Sequence, residues 1–279
     1  MNSLLYTPTH IFYMNTIQCN QRCTKCSHWK YKDQAPRLPT SILVRSLKKM
    51  PAARELCIVG GEPLLLKEEV LEILDGIADT SIRTVIVTNG VPLDPQFVAQ
   101  IAGFDIHIVV SIDTMDREFW HFVRGANSYD LVFRNLETAM ELLPGPKISI
   151  QSVLARETEP HLGAVSAYAR KKNIHHSIQE YVAEGFEGCW TPAERGGAFE
   201  MIPSDQPCHA ADRNLSILQN GDVFTCFQQS WIDGCEVPLG NLHSDDIDDL
   251  LGSEYARQVA QKMRTCNLPC KVLKCNTPH

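Results

Sequence analysis

The chain has 279 residues, 44% of them apolar, and a formal net charge of −7. Its apolar runs, such as residues 106–112, are too short to span a bilayer, and the N-terminus MNSLLYTPTHIFY has no basic region ahead of a cleavable apolar core. These features argue against a membrane-spanning helix and a secretory signal, predict a cytoplasmic protein, and disfavour nucleic acid as a partner, for which a basic footprint is expected.

In chain order, β-rich apolar runs alternate with helical spacing. Residues 11–16 read as a strand, and Thr40 then caps a helix over 41–49. A second strand over 55–59 ends at Gly60-Gly61, before a helix over 67–78 with Val70, Ile73, Leu74 and Ile77 on one face. A third strand over 84–87 ends at Asn89-Gly90, and a short helix follows over 94–101. The fourth strand is predicted over 105–112, a strongly amphipathic helix over 129–142, a fifth strand over 147–154, a helix over 160–171 and a sixth strand over 174–182. Six β–α units in sequence predict an α/β fold with a parallel sheet. Right-handed crossovers then put the helices on one face. The expected architecture is a partial, TIM-like (β/α)6 barrel over residues 1–184, with functional residues at the C-terminal strand ends. Gly- and Pro-rich residues 185–207 read as a linker. Residues 208–279 read as a small Cys-rich unit with a β-hairpin around Asn220-Gly221 and a helix over 245–263.

The 11 cysteines are arranged informatively. Cys57 sits alone in an apolar run and reads as a small core residue. Cys19, Cys23 and Cys26 form C-x3-C-x2-C directly after the first strand. Three thiolates on one loop can hold three irons of a [4Fe–4S] cube and leave the fourth iron open. Four cysteines would suit electron transfer instead. A zinc site is the competing reading, with His28 as a fourth ligand.

The C-x3-C-x2-C loop resembles the signature of the radical SAM superfamily. Gly60-Gly61-Glu62-Pro63 after the second strand resembles that family's GGEP motif. The resemblance covers roughly the first two-thirds of the chain. It implies S-adenosylmethionine (SAM) chelated to the open iron, reductive cleavage to methionine and a 5′-deoxyadenosyl radical, and hydrogen abstraction from substrate. It also implies a flavodoxin- or ferredoxin-type reductant. The glycines are expected to let the backbone approach the ligand, and Glu62 to accept hydrogen bonds from the methionyl ammonium. Thr88-Asn89-Gly90 resembles the family's TNG segment. Ser111 and Asp113 stand where the family contacts ribose or the methionyl group. Arg124, before Gly125, is expected either to pair with the methionyl carboxylate or to be a surface or capping residue. Gln151 is a further candidate facing the cofactor, and Arg156 just beyond it could reach substrate. One departure is Lys25, where many relatives carry an aromatic or bulky apolar residue near adenine; Trp29 is a candidate replacement.

Cys208 and Cys226 fit C-x12-G-x4-C across the predicted hairpin. This resembles the opening of SPASM and shorter twitch domains, which hold an auxiliary [4Fe–4S] cluster. The resemblance implies a one-cluster twitch with Cys208, Cys226, Cys266 and Cys270 as ligands, and Cys275 as an alternative to either of the last two. A zinc knuckle or free thiols are the competing readings. Cys189 and Cys235 are left over, and radical SAM epimerases make Cys235 a candidate hydrogen-atom donor. Two reaction classes fit the resemblance. One is oxidation or epimerisation of a small polar metabolite, such as a sugar or aminocyclitol alcohol. The other is maturation of a ribosomal peptide. A bare electron-transfer or zinc-binding protein is the alternative outside enzymes.

Overall fold

Along each central strand, fully buried residues alternate with less buried ones, the pattern of a sheet covered by helices on one face. β1 (His10–Thr16), β2 (Glu55–Gly60), β3 (Arg83–Thr88), β4 (Ile106–Ser111), β5 (Ile148–Leu154) and β6 (His175–Glu180) pair in parallel, each with its neighbour in sequence. The structure is a computed structural model, and it describes residues 6–143, 145–180 and 208–266.

The covered face carries Ile11, Ile58, Ile86, Ile108 and Ile150, all fully buried. Against it pack α1 (Thr40–Lys48), α2 (Lys67–Ile77), α3 (Pro95–Ile101), α5 (Tyr129–Leu142) and α6 (Glu159–Lys171), through Leu43, Ile73, Phe97, Leu136 and Val165. Burying each such side chain contributes about 1.5–3 kcal/mol. The opposite, concave face carries the alternate residues. Val59, Val87, Ser111 and Gln151 on it stay half-buried.

Several elements differ from the sequence expectation. Thr40 is the first residue of α1 rather than its cap; Pro39 precedes it, with no side-chain cap bond. An additional helix, α4 (Arg117–Arg124), stands between β4 and α5. The Asp116 carboxylate caps it by accepting from the Glu118 and Phe119 N–H groups, and Gly125 ends it at φ +59°. The helix expected over 245–263 is two, α7 (Ile247–Gly252) and α8 (Glu254–Arg264). Ser253 breaks it with an extended backbone, and its hydroxyl caps α8 by accepting from Ala256 N–H at 3.0 Å.

The hairpin forms from β7 (Asn214–Leu218) and β8 (Asp222–Phe224), followed by β9 (Gly240–Asn241). β7 also pairs in parallel with β1, so the nine-stranded sheet runs β6-β5-β4-β3-β2-β1-β7-β8-β9. The hairpin therefore extends the barrel sheet. Register explains it: Leu215 and Ile217 lie opposite Ile11 and Tyr13, and all four are fully buried. The expected linker over 185–207, with Cys189, lies outside the described residues, as do Cys270 and Cys275.

Candidate active site at the strand ends

The loop leaving β1 carries Cys19, Cys23 and Cys26 as half-buried thiols, none in a disulfide. Backbone contacts on two sides fix its course. On one side, Gly61 N–H donates to Thr16 O and Glu62 N–H to Gln18 O, each at 2.8 Å. A Cβ at Gly60 would lie 2.1 Å from Thr16 O, and one at Gly61 2.1 Å from Gln18 O. The glycines thus allow the β2 end to lie against the cysteine loop. On the other side, Arg22 and Thr24 N–H donate at 3.2 Å to the Arg124 and Val123 carbonyls at the end of α4. A Cβ at Gly125 would meet Arg22 O at 2.4 Å. Gln21 adds a side-chain bond, Nε2 to Ser128 Oγ, at 2.9 Å.

A polar network holds the base of the loop. The Asp33 carboxylate accepts from the Thr16 hydroxyl at 2.8 Å, Ile17 N–H at 2.7 Å and Arg37 Nη1 at 2.5 Å. Arg37 also donates to Asn15 O at 2.8 Å and to Glu69 at 2.6 Å.

Glu62 is fully buried. Its carboxylate accepts from the Thr88 hydroxyl and Asn89 N–H, both at 2.7 Å, and from Leu64 N–H at 3.0 Å. Burial pushes its carboxyl up to about 7, against those donors. Three of its roughly four acceptor positions are taken, so its work here is to staple the β2 and β3 ends together. Asn89 continues the chain of contacts. Its amide donates to Asn20 Oδ1 at 2.7 Å and lies 3.7 Å from Cys19 Sγ. Burial pushes the Cys19 thiol up to about 11, opposed by the Gln21 N–H.

Asp113, just beyond β4, is the centre of a buried charge cluster. Its Oδ1 accepts from Val153 N–H at 2.8 Å; its Oδ2 pairs with Lys25 Nζ and lies 2.7 Å from Arg124 Nη2. The side chains are 0% (Asp113), 10% (Lys25) and 4% (Arg124) exposed. Burial disfavours the Asp113 anion, yet Arg124 and Lys25 hold its carboxyl below the usual range. Burial also lowers Lys25, with Asp113 acting against it. Arg124 stays cationic despite burial, held by Asp113 and Cys23. It is therefore neither a surface nor a capping residue. Its guanidinium lies 5.5 Å from the Trp120 ring centre. Lys25 is the residue whose part the sequence reading missed; its departure from the aromatic usual at that position was the available signal. Trp29, by contrast, donates to Cys26 O at 2.9 Å and packs on the loop's outside.

Ser111 and Gln151 are register partners on β4 and β5, both half-buried on the concave face. Gln151 pairs there with Gln179 of β6. In the small unit, Cys208 is buried, Cys226 and Cys266 are half-buried, and Cys235 is 1% exposed. Burial raises the Cys235 thiol, with the Lys262 cation acting against it.

Among the described residues, no three His, Cys, Asp or Glu side chains gather closely enough to hold a metal ion. What the site offers is three thiols, none in a disulfide, beside a buried guanidinium whose Nη2 pairs with Asp113 and whose Nε makes no hydrogen bond. That set fits an anionic iron–sulfur group, because a buried cation with an unused donor seeks an acceptor.

A family model described as the radical SAM superfamily matches residues 16–165, more than half of the chain. A second, an iron–sulfur cluster-binding domain named SPASM, matches residues 208–276. A GTP 3′,8-cyclase of Haemophilus influenzae is 28% identical over 152 residues, 50% of this chain and 43% of that one. The chain thus spans less than half the length of this relative. By fold, SuiB of Streptococcus suis bound to S-adenosylmethionine superposes with a TM-score of 0.75 at 16% identity, covering 95% of this chain and 73% of that one. The enzyme anSMEcpe with bound AdoMet gives 0.70 at 14% identity, covering 96% and 93%.

Proposed function

The chain belongs to the radical SAM superfamily, and from that premise we propose that Cys19, Cys23 and Cys26 hold the cluster of an enzyme acting on a small polar metabolite. As a member with a SPASM-type domain, it uses SAM and [4Fe–4S] clusters, one of them auxiliary. When bound, SAM and its cluster supply a 5′-deoxyadenosyl radical able to abstract hydrogen from substrate. The protein's part is positioning. Glu62 and Asn89 tie the β2 and β3 ends to Cys19. Arg124 offers its unbonded Nε to the methionyl carboxylate, while Lys25 shares Asp113 with it. For the auxiliary cluster the proposed ligands are Cys208, Cys226, Cys266 and Cys270, with Cys275 as an alternative.

The observation that carries the substrate class is the lining of the concave face. On β4–β6 it is largely polar and carries no Lys, Arg, Asp or Glu, with His107, Ser111, Ser149, Gln151, His175, Ser177 and Gln179 at inward positions beside Val109 and Val153. His107 bonds Ser149 Oγ at 2.8 Å, and Gln151 pairs with Gln179. On β1–β3 the inward residues toward the C-terminal ends are apolar, Phe12, Met14, Cys57, Val59, Val85 and Val87, while His10, Glu55 and Arg83 hold the first inward positions. Arg83 is exposed and lies 3.9 Å from Asp105. Such a lining suits hydroxyl and amine groups on a neutral ring, and the proposed reaction is oxidation or epimerisation at an alcohol carbon. A nucleoside triphosphate is the second reading, favoured by the alignment with GTP 3′,8-cyclases. It requires cations at the C-terminal strand ends, whereas the cation on this face of β1–β6, Arg83, stands at the first residue of β3.

The test is anaerobic turnover with dithionite and SAM, offering deuterated aminocyclitols, sugars, GTP or a peptide in parallel. Deuterium in 5′-deoxyadenosine from a cyclitol or sugar alcohol supports the proposal. Transfer from GTP or from the peptide overturns the substrate class. For an epimerase, a Cys235→Ala variant that still forms epimer removes that thiol as the donor.

A further inference from the structure

The polar groups of the concave face are unequally engaged. Near the N-terminal strand ends both ring nitrogens of His107 are held, Nδ1 by Pro146 O at 3.0 Å and Nε2 by Ser149 Oγ at 2.8 Å. Toward the C-terminal ends Gln151 Nε2 donates to Gln179 Oε1. That bond orients both amides. It leaves Gln151 Oε1 as an acceptor and Gln179 Nε2 as a donor, neither of them hydrogen-bonded among the described residues. The hydroxyl of Ser111, the register partner of Gln151, is unbonded in the same sense. All three side chains are half-buried.

We propose that the Gln151–Gln179 amide pair selects the substrate by binding neighbouring hydroxyl groups on a neutral ring, a vicinal diol. The proposal rests on the reading that the enzyme acts on a small polar metabolite. One hydroxyl donates to Gln151 Oε1 and its neighbour accepts from Gln179 Nε2. An ammonium would satisfy the carbonyl and leave the NH2 unpaired; a carboxylate or phosphate would do the reverse. An amide left unpaired in a half-buried site costs affinity, so each of these is disfavoured. With Ser111, the unbonded groups come from β4, β5 and β6. Neighbouring strands lie about 4.8 Å apart, a spread wider than one hydroxyl covers.

Position ties the pair to the chemistry. Asp113 follows Ser111 by two residues, and its Oδ1 accepts from the N–H of Val153, two residues beyond Gln151. Gln179 lies opposite Val153 in register. Gln151 therefore lies about 7 Å of strand below the Lys25–Asp113–Arg124 cluster, at the end of the sheet that carries the first cysteine loop. Val59 and Val87, half-buried at inward positions of β2 and β3, offer apolar contact to the carbon face of a ring.

The probes are trans-1,2-cyclohexanediol and cyclohexanol, titrated into the reconstituted enzyme with SAM present. The parent is expected to bind the diol about tenfold more tightly, the worth of one further hydrogen bond. Gln151→Leu and Gln179→Leu should each abolish that preference, with iron content and SAM affinity unchanged. Gln179→Glu keeps the bond from Gln151 and replaces the spare NH2 by an anionic oxygen. It should turn the preference toward trans-2-aminocyclohexanol, a switch that a merely structural role would not produce. A parent that fails to distinguish the diol from cyclohexanol, or variants that keep the parent's preference, overturns the pair's role. Loss of SAM affinity in Gln151→Leu also overturns it, by giving that residue to the cofactor. Deuterium transfer from GTP or from the peptide, with the diol preference still dependent on the two glutamines, would overturn the reaction class and leave the pair standing. Transfer from a cyclitol or sugar with no such dependence would overturn the pair alone.

Discussion

Asp113 carries one negative charge between two buried cations, and the balance of that trio governs what each substitution should do. Asp113→Asn leaves Lys25 and Arg124 facing each other with no anion, an arrangement that costs about 3–5 kcal/mol. Lys25→Met leaves a neutral Asp113–Arg124 pair and should cost much less. The double variant removes one of the two unpaired cations, so in urea unfolding of the cluster-free protein its loss should fall below the sum of the two single losses. Additive losses would mean that the trio is not one electrostatic unit. Glu62 makes a prediction in pH. Its folded carboxyl is raised from 4.5 to about 7, so the folded state binds the proton more tightly than the unfolded chain does. That contribution is fully present below about pH 4.5 and is lost as pH rises to about 7, by about 3 kcal/mol. Glu62→Gln removes this dependence and turns an NH2 group toward backbone N–H donors, so it should be less stable throughout. The difference between the two unfolding free energies at pH 5, 6 and 7.5 should shrink as pH rises. The trio was not legible in the sequence, because Lys25 and Asp113 are 88 residues apart and only the fold joins them.

At the scale of elements, the cysteine loop is clasped between two glycine-dependent contacts. Gly125→Ala would force a left-handed residue to carry a Cβ 2.4 Å from Arg22 O. The backbone alone costs about 1–2 kcal/mol, and the loop must move off α4. Iron bound by the Cys19–Cys26 loop should fall in this variant, while the apo protein still folds with its helical content intact. Normal iron content would mean that the α4 contact does not position the loop. The strands and α5 were readable because their apolar periods are local. α4 was overlooked although its signals were present: Asp116 as cap, Phe119, Trp120 and Val123 at helical spacing, and Gly125 as stop. The partnership of β7 with β1 has no local signal, since a hairpin with one apolar face reads the same whether it stands alone or joins a sheet.

At the scale of the molecule, the sheet is continuous from the barrel into the cysteine-bearing hairpin. The β1 strand that launches the first cysteine loop is also the strand that β7 pairs with. The first cysteine loop and the cysteine-bearing hairpin are therefore joined through one strand. The central claim is that the chain holds two clusters on two separate cysteine sets. It is tested most directly by counting iron and sulfide per chain after anaerobic reconstitution, in the parent and in a Cys19/Cys23/Cys26→Ala variant. The account predicts about eight irons falling to about four. About four irons falling to none, or a count indifferent to the three substitutions, would contradict it.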